Sequence, residues 1–180
     1  MSKIGTVPKP RMKNPAMILP ESMPLLQGLG QLGQQNGAPT TAIALATLRV
    51  SQINGCSFCV DLHSRMLKKL GDSDERVFAV AAWRESPYFT EPERAALALG
   101  EAMTRIADQS DPVPDPVWTD AARHFSEPEL AGLILAIGVT NLYNRINVTI
   151  RQTAGEWKPA EGTEAAQKWG ADASKASSSA

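Results

Sequence analysis

Two cysteines and a histidine lie close together in the chain, and their spacing suits redox chemistry. Cys56, Cys59 and His63 are separated by three and four positions, and residues at those separations share one face of a helix. The preceding Asn54 and Gly55 favour a turn, so a helix is predicted to begin near Cys56. The positive end of that helix would lower the pKa of the Cys56 thiol. The pattern predicts a redox-active dithiol, with His63 placed to move the thiol proton.

Three other interpretations of the cysteines remain open. Cysteine is often a buried core residue, but these two stand three apart in a chain with no others. A zinc site normally needs four ligands, and His63, His124 and carboxylates would have to complete it here. A purely structural disulfide is disfavoured, because so short a loop removes little chain entropy.

The composition predicts one soluble domain. The 180 residues are enough for a sizeable core, and a net charge of −1 gives no general affinity for nucleic acid or an anionic membrane. The first residues lack the apolar run of a signal peptide, and no stretch approaches a membrane span. We therefore expect a cytoplasmic protein, where thiols are kept reduced and a CxxC pair is more often catalytic than structural.

The fold class is predicted to be all-α, with an extension at each end of one helical domain. Residues 1–20 form a proline-rich N-terminal arm, because repeated prolines prevent a regular helix, and the arm lies along the surface or reaches a neighbour. Residues 21–157 form the domain. Residues 158–180 form a flexible Ala/Ser-rich tail, and Trp157 and Trp169 could pack this tail against the domain.

Apolar residues at helical spacing and capping residues predict a series of helices and no convincing strand. The predicted helices are 21–35, one capped by Thr40 or Thr41, 56–70, one capped by Asp72 or Ser73 that runs through Trp83, one capped by Thr90, 116–125, and one from Ser126 to about Arg151. Arg49 lies in a largely apolar helix, so it needs a carboxylate partner. The last helix is apolar on nearly every side, which indicates either a central core helix or a contact between subunits.

Three segments of the chain together resemble a known family. Residues 48–63, LRVSQINGCSFCVDLH, look like the core of the alkylhydroperoxidase AhpD-like proteins in the carboxymuconolactone decarboxylase superfamily. Residues 90–97, TEPERAAL, and 143–147, YNRIN, are similar to later parts of that family, and the resemblance covers 38–152. It implies an AhpD-like helical bundle with the CxxC at the N-terminus of a central helix. It also implies a homo-oligomer, often a trimer or hexamer, that reduces peroxides without a metal, haem or other cofactor.

The resemblance implies a role for each residue of the motif. Cys59 attacks the hydroperoxide, Cys56 closes the disulfide, His63 acts as base or proton shuttle, and an external thiol or dithiol reduces the disulfide. The local physics of a helix start instead favours Cys56 as the lower-pKa thiol, so the two arguments disagree about which cysteine attacks first. His124 is expected to be a surface or capping histidine.

One position departs from the family pattern. Peroxidatic members commonly place a glutamate of a proton relay twelve residues before the first motif cysteine, and Ala44 stands there in this chain. Glu101, Glu93 and Asp61 are possible substitutes. Each also has a structural interpretation. Glu101 could be the partner of a basic side chain, Glu93 could be an acid in the first turn of a helix, and Asp61 could be an exposed helix residue.

Three functions therefore remain as hypotheses. A thiol peroxidase that reduces organic hydroperoxides or hydrogen peroxide is the first. Another CxxC thiol-disulfide oxidoreductase is the second, supported by the alanine at position 44. A non-enzymatic, redox-sensing oligomer is the third. A lactone decarboxylase is disfavoured, because those relatives generally lack the CxxC.

Overall fold

The computed structural model describes residues 9–35 and 37–155, and within these ranges the chain forms eight α-helices and no strand, which confirms the all-α prediction. The helices are α1 (Pro15–Ile18), α2 (Ser22–Gln35), α3 (Thr40–Ile53), α4 (Ser57–Lys69), α5 (Asp74–Ala79), α6 (Glu91–Thr104), α7 (Asp115–His124) and α8 (Glu127–Ile150). Two single 3₁₀ turns, Val80–Ala82 and Ile106–Asp108, follow α5 and α6. None of these described helices has the length and apolar character needed to cross a bilayer.

The predicted ends of the chain fall partly outside these ranges. The beginning of the proposed arm, the tail 158–180, Trp157 and Trp169 lie beyond the described residues. The division into arm, domain and tail stays a prediction.

The arm contains one helical turn, so the prediction that its prolines prevent a helix was wrong at Pro15. Proline is tolerated at the first position of a helix, where its missing N–H would have no partner anyway. Asn14 caps this turn, since its Oδ1 accepts the backbone N–H of Ala16 at 3.0 Å. The arm then lies against the end of α8, where the backbone N–H and the guanidinium of Arg11 donate to the carbonyls of Ile150 and Thr149 at 2.9 and 2.8 Å.

Helix α3 lies at the centre of the packing. It is buried on nearly every side and packs against α4, α6 and α8. Leu45, Leu48 and Val50 are fully buried, and each such side chain contributes about 2 kcal/mol of transfer free energy. The prediction of a largely buried helix is confirmed, but Pro39 and not a threonine stands at its N-cap.

Arg49 has the carboxylate partner that its buried helix requires. Its Nε donates to Glu101 at 2.6 Å, Trp83 Nε1 donates to the same carboxylate at 3.1 Å, and Arg84 donates to the other oxygen. Burial alone would raise the pKa of Glu101, but the hydrogen bonds from Arg84, Arg49 and Trp83 outweigh it, so the pKa is lowered. Glu101 therefore stays ionised as the structural link between α3, α6 and the residues after α5.

The turn between α3 and α4 is closed by two backbone hydrogen bonds. The N–H of Cys56 reaches the carbonyl of Ser51 at 3.1 Å, and the N–H of Gly55 reaches that of Gln52 at 3.2 Å. This is the pattern that ends a helix through a left-handed residue, and Gly55 supplies it with φ of +65°. The turn makes Cys56 the N-cap of α4, so the predicted helix start is confirmed to within one residue.

Caps also set the beginnings of α6 and α8. Thr90 and Glu93 form a reciprocal capping box, and Ser126 and Glu129 form a second one. Both sites were predicted from the sequence. The helix capped by Ser73 is shorter than predicted, because α5 ends at Ala79 and continues only as a 3₁₀ turn.

Helices α2 and α8 approach each other closely at one glycine. A Cβ on Gly33 would lie 3.0 Å from the backbone nitrogen of Ala136 and 3.1 Å from the carbonyl oxygen of Gly132. Both neighbours are backbone atoms of α8, so neither can move without displacing the helix. The close contact positions α2 along one side of the cavity described below.

Gly33→Ala is expected to destabilise the protein, and Gly28→Ala is its matched control on the same helix. The added methyl group at position 33 forces α2 and α8 apart and should lower the free energy of unfolding by about 1–3 kcal/mol. A Cβ at Gly28 meets no atom within 4 Å, so the alanine should raise it by up to about 1 kcal/mol through helix propensity. Urea unfolding of both variants checks this. A Gly33→Ala protein as stable as the control would contradict the proposed close contact.

Candidate functional site

The two cysteines form a disulfide at the start of α4. Their Cα atoms are 5.3 Å apart, and each residue is only 2% exposed. Cys56 is the N-cap, and its sulfur accepts the backbone N–H of Cys59 at 3.3 Å. The sequence prediction that these residues pair at a helix start agrees with this geometry.

A cavity of about 570 Å³ lies against the disulfide, a volume in the usual range for small-molecule sites. Four helices form its walls, and α4 contributes one continuous face that includes Cys59 and His63. Cys56 does not line it. The lining residues are Gly30, Gln34, Thr40, Ile43, Ala44, Thr47, Phe58, Cys59, Leu62, His63, Met66, Lys69, Leu70, Ala136, Val139, Thr140, Tyr143 and Asn147.

The cavity wall favours uncharged groups. Among the described lining residues there is no carboxylate, and most of the side chains are apolar. Burial lowers the pKa of His63 to about 4, lowers the pKa of Lys69 and raises the pKa of Tyr143. All three shifts are toward the neutral form, as expected where protein replaces water around an ionisable group.

His63 is held by Thr47 from the neighbouring helix. The hydroxyl of Thr47 lies 3.5 Å from His63 Nδ1, and it also donates to the carbonyl of Ala44 at 3.0 Å. Because the one proton of the hydroxyl is donated to Ala44, the contact favours the His63 tautomer with the proton on Nδ1. In that tautomer Nε2 is the basic atom of the neutral ring.

Asn147 was not identified as a site residue from the sequence, yet its side chain contacts the disulfide. Its Nδ2 donates to Cys59 Sγ at 3.4 Å, and its Oδ1 accepts from Asn14 Nδ2 at 3.1 Å. Asn147 is buried and lies on α8, far from the motif in sequence. One pattern in the sequence could have identified it: Asn141, Asn144 and Asn147 recur every three residues along a largely apolar helix.

The other two asparagines of this row fix the turn before the motif. Asn54 donates to Asn141 and Asn144 at 2.9 and 2.8 Å, and Asn144 donates to Ser51 at 3.2 Å. These contacts connect α8 to the last turn of α3. The position of Cys56 is thereby tied to α8 as well as to its own helix.

The three acids considered as relay substitutes do not line the cavity. Glu101 is bonded to Arg49, Arg84 and Trp83, as described above. Glu93 Oε1 accepts from Arg76 at 2.6 Å, and Asp61 pairs with Arg65 at 2.9 Å. Ala44 itself lies in the cavity wall, so the position at which a relay glutamate was considered carries a methyl group.

The second histidine is separate from the cavity. His124 lies in the last turn of α7, and its Nε2 is 3.9 Å from Asp120. In the ranges that the structure covers, no group of three or more His, Cys, Asp and Glu side chains is arranged to hold a metal ion. The described residues therefore provide no set of ligands for the zinc interpretation.

Comparisons with known proteins bear on the family and the fold of the chain. The model of the carboxymuconolactone decarboxylase family matches residues 20–102, which include the CxxC. The Bacillus subtilis protein YdfG, which is uncharacterized, is 34% identical over 137 residues, covering 76% of this chain and 92% of YdfG.

Solved structures share the fold. The Agrobacterium tumefaciens protein ATU0492, provisionally described as an AhpD antioxidant defence protein, is 37% identical with a TM-score of 0.75, covering 85% of this chain and all of that one. The debrominase Bmp8 is 21% identical with a TM-score of 0.69, covering 87% of this chain and 78% of its own, a likeness of fold alone.

The lowered pKa of His63 predicts a pH dependence of stability. Between pH of about 6.5 and about 4 the unfolded state binds a proton that the folded state does not, so the free energy of unfolding falls as the pH falls. The loss should approach about 1 kcal/mol per pH unit in the oxidised wild type and be absent from His63→Gln. Urea unfolding of both proteins at pH 7, 6 and 5 measures it. If the free energy of unfolding falls with pH equally in the two proteins, the lowered pKa of His63 is contradicted.

Proposed function

The chain belongs to the carboxymuconolactone decarboxylase family, and we propose that it is a thiol-dependent peroxidase that reduces organic hydroperoxides through the Cys56–Cys59 pair. One observation carries the proposal. The sulfur-bearing Cys59 lines an apolar cavity, with a neutral histidine on the same helix face and a second cysteine in disulfide contact behind it. The proposal assigns Cys59 as the nucleophile and His63 as the base beside one space for a substrate, with Cys56 as the resolving thiol outside the cavity wall.

The proposed cycle begins with the reduced dithiol. Neutral His63 accepts the thiol proton of Cys59, and the thiolate attacks the terminal oxygen of the hydroperoxide. The O–O bond breaks, the alkoxide takes the proton from His63 and leaves as an alcohol, and Cys59 becomes a sulfenic acid. Cys56 then attacks that sulfur, water leaves, and the disulfide forms. Two thiols have lost two electrons to the peroxide, and an external dithiol returns them by exchange.

Geometry favours Cys59 as the attacking thiol. The N-cap position favours a thiolate on Cys56, as the sequence argument states, but Cys56 does not line the cavity. Cys59 does, and its sulfur also receives the amide N–H of Asn147. A hydrogen-bond donor at the sulfur stabilises a thiolate there, so both access and local polarity support Cys59.

The cavity supports an organic rather than an inorganic peroxide as the preferred substrate. Its side chains include Ile43, Leu62, Met66 and Phe58, which offer contacts to a hydrocarbon group. Hydrogen peroxide is small enough to enter but gains nothing from these contacts. We propose that hydrogen peroxide is the poorer substrate.

A second candidate function is thiol-disulfide exchange with another protein or small dithiol. The observation that favours it is Ala44, because the cavity wall has a methyl group where peroxidatic relatives place a relay acid. Cys59 would then attack the substrate disulfide and form a mixed disulfide while one substrate thiol leaves, and Cys56 would displace the second thiol as the Cys56–Cys59 disulfide forms. A cytoplasmic location, which the composition predicts, would supply the reducing partner in either case.

We also propose that copies of the chain associate through α1 and α2. The sequence left α8 as either a central core helix or a contact between subunits. One face of α8 is buried, and Leu135, Leu142 and Val148 on the same helix are exposed. A larger set of exposed apolar side chains lies on α1, its C-cap and α2. They are Met17, Ile18, Leu19, Leu25, Leu29 and Leu32. Exposed apolar side chains in this number are typical of a surface that another subunit covers.

Turnover assays test the peroxidase proposal. With dithiothreitol as the recycling dithiol, the wild type should consume cumene hydroperoxide faster than hydrogen peroxide. Cys59→Ser should lose at least about a hundredfold in rate, as expected when a nucleophile is removed. Without dithiothreitol, Cys56→Ser should consume one equivalent of peroxide and leave a sulfenic acid on Cys59 that dimedone traps.

Three other outcomes would count against the peroxidase proposal or its assigned nucleophile. Peroxide consumption that persists in Cys59→Ser would refute the assigned nucleophile. A wild type that reduces a disulfide substrate but consumes no peroxide would favour the second candidate. No turnover of either substrate, with a disulfide that still forms and opens, would favour the redox sensor.

Light scattering tests the proposed association. The wild type should have a mass that is a multiple of 19.3 kDa, and the Leu25→Lys and Leu29→Lys double variant should lower it by charging the apolar surface. Phe78→Lys is the control, because Phe78 is also an exposed apolar residue but lies on α5. A monomeric wild type, or a loss of mass only in the Phe78 variant, would refute this interface.

A further inference from the structure

Asn14 in the N-terminal arm is linked to the sulfur of Cys59 by an unbroken series of hydrogen bonds. The backbone N–H of Ala16 donates to Asn14 Oδ1 at 3.0 Å, and Asn14 Nδ2 donates to Asn147 Oδ1 at 3.1 Å. Asn147 Nδ2 then donates to Cys59 Sγ at 3.4 Å. The series begins at a backbone group and ends at the proposed nucleophile.

The direction of this series is fixed at its first member. A side-chain amide has an acceptor oxygen on one side and a donor NH₂ on the other, and rotating it by 180° exchanges them. A backbone N–H can only donate, so it holds the oxygen of Asn14 toward Ala16 and the NH₂ of Asn14 toward Asn147. Asn147 must then turn its oxygen to Asn14, which leaves its NH₂ facing Cys59.

We propose that Asn14 is a positioning residue for the cysteine pair: it holds the amide of Asn147 with the NH₂ toward the Cys59 sulfur. The proposal rests on the role of Cys59 as the attacking thiol. With this orientation, Asn147 donates a hydrogen bond to the thiolate. With the opposite orientation, the amide oxygen would face the thiolate and repel it.

The arm is anchored so that Asn14 can perform this task. Arg11 binds the carbonyls of Thr149 and Ile150 at the end of α8, close to Asn147 in the same helix. Ala16 is 4% exposed, so the turn that follows Asn14 is packed against the domain. The arm therefore contributes a polar contact to the site as well as covering the end of α8.

A simpler role for Asn14 is that of an N-cap for the single turn of α1. Asn14→Asp separates the two roles, because aspartate caps a helix as well as asparagine does but has no NH₂ group. Its carboxylate would accept from both Ala16 and Asn147. Asn147 would then turn its NH₂ toward the aspartate and its oxygen toward Cys59.

The measurement is the rate of alkylation of Cys59 by iodoacetamide against pH, in protein that carries Cys56→Ser so that one thiol reacts. Asn14→Asp should raise the pKa of the Cys59 thiol by about one unit or more, the size expected for losing a hydrogen bond to a charged group. Asn14→Ser keeps a capping oxygen but is too short to reach Asn147. It should raise the same pKa by a smaller amount.

A double-mutant cycle removes the effect of the added charge. In an Asn147→Leu background there is no amide to orient, so Asn14→Ser should leave the thiol pKa unchanged, and Asn14→Asp should raise it only by the contribution of its charge, which is less than its shift in the presence of Asn147. An equal shift from Asn14→Asp with and without Asn147 would mean that only its charge acts, and would overturn the proposal. So would an unchanged pKa for both Asn14 variants in the presence of Asn147.

The test does not depend on peroxidase turnover. The alkylation rate depends on the Cys59 thiol alone. The positioning role of Asn14 can therefore fail in a protein that still reduces peroxide, and it can hold in a protein that reduces no peroxide. Near-ultraviolet circular dichroism of each variant checks that the helices remain packed. If Asn14→Asp unfolds the protein, the Asn14→Ser result in both backgrounds decides.

Discussion

The turn at Asn54 and Gly55 is the constraint on which the rest of the site depends. Cys56 belongs to two helices at once: its backbone N–H closes the end of α3, and its sulfur caps the beginning of α4. Only a residue that tolerates a positive φ permits this, which is why glycine stands before the motif. The side chain of Asn54 then binds two asparagines of α8. Three helices thus meet at the cysteine pair, and the relative position of the two sulfurs follows from backbone geometry rather than from the disulfide alone.

Polar side chains buried on α8 have a cost that their hydrogen bonds must offset. Asn144 and Asn147 are 0% and 4% exposed in a helix that is otherwise largely apolar, and an unsatisfied amide there would be strongly destabilising. Their partners, Ser51, Asn54, Asn14 and Cys59, lie on three separate segments. A shift of α8 by one turn would leave these groups unpaired, so the asparagines specify the register of the helix against the motif. An apolar helix without them could pack in several registers of similar free energy.

Local patterns were predictable from the sequence, and contacts between distant segments were not. The capping boxes at Thr90 and Ser126 and the helix start at Cys56 depend on residues within a few positions, so their spacing carries the information. The need of Arg49 for a carboxylate followed from its apolar helix, but the choice of Glu101, 52 residues away, did not. The contact of Asn147 with Cys59 joins residues 88 apart and depends on how α8 packs. The helical turn at Pro15 escaped prediction because proline breaks helices everywhere except at their first turn.

The long sequence separations in the site have a consequence for how the protein is made. A chain that emerges from the ribosome exposes Cys56 and Cys59 well before the asparagine that contacts Cys59 has been synthesised. During that interval the thiols have neither the amide of α8 nor the walls of the cavity around them. They are ordinary cysteines that solvent oxidants can reach. The buried surroundings of the pair are therefore acquired only when α8 folds back onto the first half of the chain, and nascent or truncated chains should carry the motif without the environment that the proposed chemistry needs.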